Sequence, residues 1–144
     1  MDSIKIGNQT WMLKNLDVDT FRNGDAIPEV KTAYEWEHKG ENGEPAWCYY
    51  DNDPSNGKIF GKLYNWHAIN DSRGLAPQGW KIPSKKDWNT LVKNLGGSGV
   101  AGNKMKSNEL WLTYCGNNES GFNALPSGVR AAKGIFGFNG EMVI

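Results

Sequence analysis

A chain of 144 residues is long enough to bury a real core and too short for two full-sized domains, so one domain is expected. Sixteen basic and sixteen acidic residues cancel to a formal net charge of zero, which excludes recruitment of nucleic acid or an anionic membrane by a bulk field. No apolar run is long enough to span a bilayer, and Met1-Asp2-Ser3-Ile4-Lys5-Ile6 lacks the apolar core of a signal peptide in the chain as given.

Seven tryptophans and 18 glycines suit a fold with large aromatics joined by many loops and few long helices. Cys48 and Cys115 are too few for a disulfide scaffold and lack metal-ligand spacing. One bridge and two buried thiols stand as equal alternatives, because sequence separation says nothing about Cβ distance.

In chain order, Ile4-Lys5-Ile6, a Gly7-Asn8-Gln9 turn and Thr10 to Leu13 read as a hairpin. Phe21 to Pro28 is a loop with a turn at Asn23-Gly24. Thr32 to Lys39 is a short helix capped by Thr32 with Glu35 at the third position, burying Tyr34 or Trp36. Ala46 to Tyr50 is a buried strand, and Asp51 to Lys58 a polar loop. Phe60 to Ile69 leans to helix, and Gly74 to Gln78 is a turn.

The clearest element follows. Ser84 caps a helix over Lys85 to Leu95, with Asp87 completing a capping box. Trp88, Leu91, Val92 and Leu95 recur at helical spacing on one face, and Gly96-Gly97 ends the run. Lys85 and Lys86 oppose the helix dipole in the first turn, a small penalty. Lys104 to Lys106 and Leu110 to Tyr114 are short strands, and Gly121 to Leu125, Gly128 to Ala132 and Gly134 to Phe138 are strands and turns of a final β segment. The class is α+β, short helices packed on antiparallel strands.

Gly97-Ser98-Gly99-Val100-Ala101-Gly102 matches a dinucleotide-loop pattern, but a helix precedes it where a strand is required, and no helix is expected after it; it reads as a loop. Asp51, Asp53 and Ser55 place oxygens at alternate positions, as calcium ligands do, with an Asx-turn loop as the plainer reading. Asn56 and Lys62 stand where a calcium loop wants Gly and Glu. Apart from that calcium reading, no cofactor is expected. His38 and His67 accompany no nucleophile motif, and no enzyme is expected. Trp11, Trp47, Trp66, Trp80 and Trp88 sit in apolar or structured contexts and read as core. Trp36 and Trp111 have polar neighbours and are the surface candidates for stacking on a sugar or anchoring a protein.

Many phrases in this order belong together: Ile6-Gly7-Asn8-Gln9-Thr10-Trp11-Met12, Cys48-Tyr49-Tyr50-Asp51-Asn52-Asp53, Gly61-Lys62-Leu63-Tyr64-Asn65-Trp66, Leu75-Ala76-Pro77-Gln78-Gly79-Trp80-Lys81-Ile82-Pro83, Asp87-Trp88, and Ser120-Gly121-Phe122-Asn123-Ala124-Leu125-Pro126. Over nearly the whole chain they closely resemble the Fibrobacter succinogenes major paralogous domain. The resemblance implies a C-type-lectin-like fold, distantly similar to the formylglycine-generating enzyme group. The helix start Gly79-Trp80-Lys81-Ile82-Pro83-Ser84 with Asp87-Trp88 looks like that group's, while nothing here matches its catalytic cysteine pair.

The resemblance further implies a non-catalytic binding module for glycan or protein ligands, extracellular or at the cell surface. An oxidase-related enzyme and an accessory domain without a ligand are the alternatives. The family continues past the position of Ile144 into further strands, so the resemblance implies a C-terminally truncated domain, with Gly140 to Ile144 the start of a cut strand and the N-terminal hairpin short of a pairing partner.

Overall fold

Alternation places Ile4 and Ile6 on one face of a strand, and antiparallel pairing puts Gln9 and Trp11 beside them. The computed structural model, which describes residues 2–141, forms this hairpin from β1 (Ser3–Ile6) and β2 (Gln9–Met12), with Ile4 opposite Trp11 and Ile6 opposite Gln9. The elements that follow are α1 (Ala33–Glu41), β3 (Trp47–Cys48), a 3₁₀ turn (Tyr50–Asn52), α2 (Pro54–Phe60), β4 (Leu63–Tyr64), α3 (Trp66–Ile69), α4 (Lys85–Asn94), α5 (Ser98–Met105), β5 (Ser127–Arg130) and β6 (Phe136–Asn139). Among the described residues, helices and three two-stranded sheets make the fold α+β. None of the helices among the described residues is long and apolar enough to cross a membrane. The apolar run Met142–Ile144, expected as a cut strand, lies outside the described residues.

The chain divides into two compact units, one of Met1–Lys14, Pro83–Gly128 and Phe138–Ile144, the other of Asn15–Ile82 and Val129–Gly137. In the first unit α4 begins with the capping box: Asp87 N–H donates to Ser84 Oγ at 3.3 Å and Ser84 N–H to Asp87 Oδ2 at 2.8 Å. It ends in paired Schellman bonds, Gly97 N–H to Val92 O and Gly96 N–H to Lys93 O. Leu91 and Leu95 pack against Ile6 and Ala101, with Ile4, Trp11, Val92, Met105 and Phe122 around them. Trp88 departs from the expected buried face. It sits in the helix's first turns, rests against Trp11 at a centroid distance of 4.9 Å and against Phe122 at 6.1 Å, and leaves part of its ring exposed.

The expected loop after Gly97 is instead the start of α5, and the expected strand over Lys104–Lys106 is that helix's end plus a single bridge from Lys106 to Ala124. Glycine weakens a helix by about 1 kcal/mol per residue, but burial of Ala101 and partial burial of Met105 one turn apart against Leu95 outweigh it here.

In the second unit the two residues of β3 serve two cores. Trp47 joins Phe21, Ile27, Ala68 and Leu75, while Cys48 joins Val30, Trp36 and Ala46. The strand pairs antiparallel with β4, Trp47 opposite Tyr64. The polar loop expected at Asp51–Lys58 is largely helix: Asp53 caps α2, Pro54 opens it without needing an N–H partner, and Phe60 is buried. The helix expected across Phe60–Ile69 is confined to Trp66–Ile69, and Trp66, at its first position, is exposed rather than core. Trp80 is half-buried. Neither cysteine alternative holds, since both thiols are free, Cys48 buried and Cys115 exposed.

A surface ion network in this unit makes stability depend on acid. Arg73 holds Asp71 through two parallel bonds, Nε to Oδ1 at 2.9 Å and Nη2 to Oδ2 at 2.8 Å, and reaches Asp25 Oδ2 at 3.0 Å. The guanidinium hydrogen bonds pull the Asp71 carboxyl down to about 2. A depressed carboxyl stabilises the folded state fully above the unfolded value near ~3.9 and loses that contribution as pH falls toward the folded value. Asp71→Asn is therefore expected to lower the melting temperature at pH 7, with the gap to the native chain narrowing from pH 4 to pH 2. A gap constant over that range would contradict the pairing.

Candidate functional site

The residues expected to meet a ligand are placed elsewhere. Trp36 is only 4% exposed, because its polar neighbours Glu35 and Glu37 lie off the face that α1 turns toward Ala46 and Cys48. Its ring is covered by the Arg130 guanidinium at 4.6 Å, and that group also donates to Val30 O and Lys31 O. Trp111 is 8% exposed. Its indole N–H finds acceptors inside, Ser107 Oγ at 3.1 Å and Ala124 O at 3.2 Å, and Lys106 Nζ lies 4.1 Å from its ring. The surface placement expected for both tryptophans is corrected.

Asp53 and Ser55 serve the start of α2. Asp53 Oδ1 accepts from Ser55 N–H at 2.8 Å, and bonds from Ser55 hold the carboxyl below its ordinary value. Asp51 is exposed beside Asn52, both in left-handed backbone conformation. Among the described residues, no group of three His, Cys, Asp or Glu is arranged to hold a metal ion.

Burial of Trp111 has a consequence for its neighbours. Leu110, Leu112 and Tyr114 are all exposed, Leu112 to 72% and Tyr114 to 89%. A strand, as expected for Leu110–Tyr114, would place these three on one face and Trp111 on the other. The chain here is instead an irregular loop whose indole is inside and whose smaller apolar groups are outside.

Ser107, fully buried, closes this loop at its base. Its N–H donates to Ala124 O, its carbonyl accepts from Gly116 N–H at 3.0 Å, and its hydroxyl donates to Glu109 O at 2.6 Å while accepting from Trp111. Ten residues, Ser107 to Gly116, thus have joined ends, the form of an Ω-loop. Gly116 is required at the join, because a Cβ there would strike the carbonyl oxygens of Lys106 and Asn103.

A second segment of the same unit meets the loop. Leu112 N–H donates to Gly140 O at 2.8 Å, and Gly140 N–H donates to Pro126 O at 3.0 Å. Gly140 sits at φ 84°, and a Cβ on it would lie 2.6 Å from Leu112 Cγ. Phe138, two residues earlier, is exposed as well.

Backbone strain marks the same residues. Leu110 has φ 70°, Tyr114 φ 53° and Phe138 φ 58°. Among the described residues, the other non-glycine positions with positive φ are Asp and Asn, which tolerate that region. Holding a bulky residue there costs roughly 1–3 kcal/mol, and such strain collects where a surface is used. Three exposed apolar side chains held in strained conformations, beside a fourth, form the candidate site.

The sequence carried one signal for it. Leu110, Leu112 and Tyr114 alternate with Trp111 and Thr113 between Asn108-Glu109 and Gly116-Asn117, so an isolated apolar run is bracketed by turn formers.

Residues 4–144 match the family model of the Fibrobacter succinogenes major domain. No curated protein and no solved structure matches the chain at a significant level.

Proposed function

The chain belongs to the Fibrobacter succinogenes major domain family, and we propose that it is a non-catalytic binding module taking a protein or glycan ligand outside the cell on a lectin-like scaffold. The observation that carries this reading is the Ser107–Gly116 loop, which buries its tryptophan and turns Leu110, Leu112 and Tyr114 outward. Exposed large apolar groups clustered on a fixed loop are a recurrent mark of interaction sites. Support for the lectin-like scaffold comes from the family resemblance, in which Gly79 to Ser84 with Asp87-Trp88 looks like the helix start of the distantly similar formylglycine-generating enzyme group. Support for the extracellular setting comes from the family, whose members often occur on secreted or surface-anchored proteins.

The test is saturable binding by the intact chain to a glycan array and to an extract of cell-envelope proteins. One class of ligand is expected to be retained with measurable affinity. Absence of saturable binding in both would overturn the module reading.

A further inference from the structure

We infer that Asn42-Gly43 is a site of spontaneous covalent modification, where the Asn42 carboxamide becomes a carboxylate through a cyclic imide with the Gly43 backbone nitrogen. The inference is independent of any ligand the chain binds.

An Asn followed by Gly is the pair in which this reaction is least hindered, because the attacking nitrogen has no Cβ beside it. The chain holds four such pairs, Asn23-Gly24, Asn42-Gly43, Asn56-Gly57 and Asn139-Gly140. Their surroundings separate them. Asn56 lies within α2, its Nδ2 donates to Tyr50 O at 3.0 Å, and Gly57 is buried against the Tyr49 ring. Asn139 is half-buried in β6, with Nδ2 donating to Pro126 O, and Gly140 N–H donates to the same oxygen at 3.0 Å. Asn23 is exposed, but Asp25 holds both ends of its carboxamide: Nδ2 donates to Asp25 Oδ2 and Oδ1 accepts from Asp25 N–H, each at 3.0 Å. Gly24 N–H is held as well, by Phe21 O at 2.9 Å. Asn42 and Gly43 are both exposed, and the Asn42 carboxamide makes no hydrogen bond among the described residues. Gly43 N–H reaches Gly40 O at 3.3 Å, longer than an ordinary N–H···O bond.

Position in the fold supplies the motion. Asn42 is the C-cap of α1, at φ −86° and ψ 0°. Closing the imide requires ψ to rotate away from this value, so the last turn must open. Helix ends open at far lower cost than helix interiors.

The atoms balance without an oxidant. A solvent base removes the Gly43 N–H proton, the nitrogen bonds to Asn42 Cγ, and the Cγ–Nδ2 bond breaks. Nδ2 takes up a proton and leaves as ammonia. Water then opens the imide at either carbonyl. Opening at Cγ leaves aspartate; opening at the backbone carbonyl leaves isoaspartate, which adds a methylene to the main chain. That product cannot keep the paired bonds that end α1, Glu44 N–H to Lys39 O at 2.9 Å and Gly43 N–H to Gly40 O. Either product sets a negative charge at the helix C-terminus, where the dipole disfavours it.

The experiment incubates the intact chain in mildly alkaline heavy-oxygen water, digests it in ordinary water and reads the four Asn-Gly peptides by mass spectrometry. Heavy oxygen marks only conversions that precede digestion. In the folded chain Asn42 is expected to take up label about tenfold or more faster than Asn23, Asn56 or Asn139, with isoaspartate among its products. In guanidinium chloride the four rates should converge, because the protecting bonds are gone. Asn42→Gln, whose longer side chain closes an imide poorly, should remove label from this peptide and leave the other three unchanged. Faster labelling at another pair in the folded chain, or no label at Asn42, would overturn the inference. An equal lead of Asn42 in guanidinium chloride would overturn it too, since the selection would then owe nothing to the fold.

Discussion

Leu91→Ala is expected to destabilise the fold by about 2–5 kcal/mol, the range for truncating a packed core leucine. Leu91 is fully buried and lies among Ile6, Leu95 and Ala101, where the hairpin, α4 and α5 converge. The other groups in that cluster are apolar apart from the Trp11 indole N–H, so nothing polar offsets the lost methyls. Helix and hairpin are short, and each depends on this shared face more than on its own hydrogen bonds. Chemical denaturation measures the loss, and Leu91→Met should cost under about 1.5 kcal/mol because it keeps the volume. A loss below about 0.5 kcal/mol for the alanine variant would place Leu91 outside the core.

Asn65→Ala is the second large effect, expected at roughly 3–5 kcal/mol from several buried groups losing partners at once. The Asn65 carboxamide accepts from Ala46 N–H at 3.1 Å and Ala68 N–H at 2.9 Å, and donates to Glu44 O at 2.8 Å. One side chain therefore caps α3 and ties it to the chain entering β3. Alanine would strand two donors and an acceptor in a buried place, where water cannot readily replace the lost bonds. Asn65→Asp keeps the two accepted bonds and should recover part of the loss. An alanine variant within about 1 kcal/mol of the native chain would show that water reaches these groups after all.

Local signals explain which elements were legible in the sequence. The hairpin declared itself through Ile4, Ile6 and Trp11 around a short turn, and α4 through Ser84, Asp87 and the Leu91–Leu95 spacing. α2 was legible in retrospect, because Asp53-Pro54 is a cap followed by a favoured first helical residue; the run of Asp, Asn and Ser around it favoured a polar loop instead. α5 was not, since its glycines argue against helix and only contact with Leu95 decides the matter. Trp36 and Trp111 were misjudged for one reason. Polarity of adjacent residues says little about a side chain whose neighbours face elsewhere, on a helix or in a loop. The candidate site escaped because its shape depends on Ser107, Gly116 and Gly140, up to 33 residues apart and joined by tertiary hydrogen bonds.

The most direct test of the candidate loop places a photo-reactive benzophenone side chain at position 112, and in a second protein at position 66, before illumination with a cell-envelope extract. The account predicts a discrete adduct at position 112 that disappears when Tyr114→Asp is added, and no matching adduct at position 66. Adducts of equal yield at both positions, or an adduct at 112 that survives Tyr114→Asp, would contradict it.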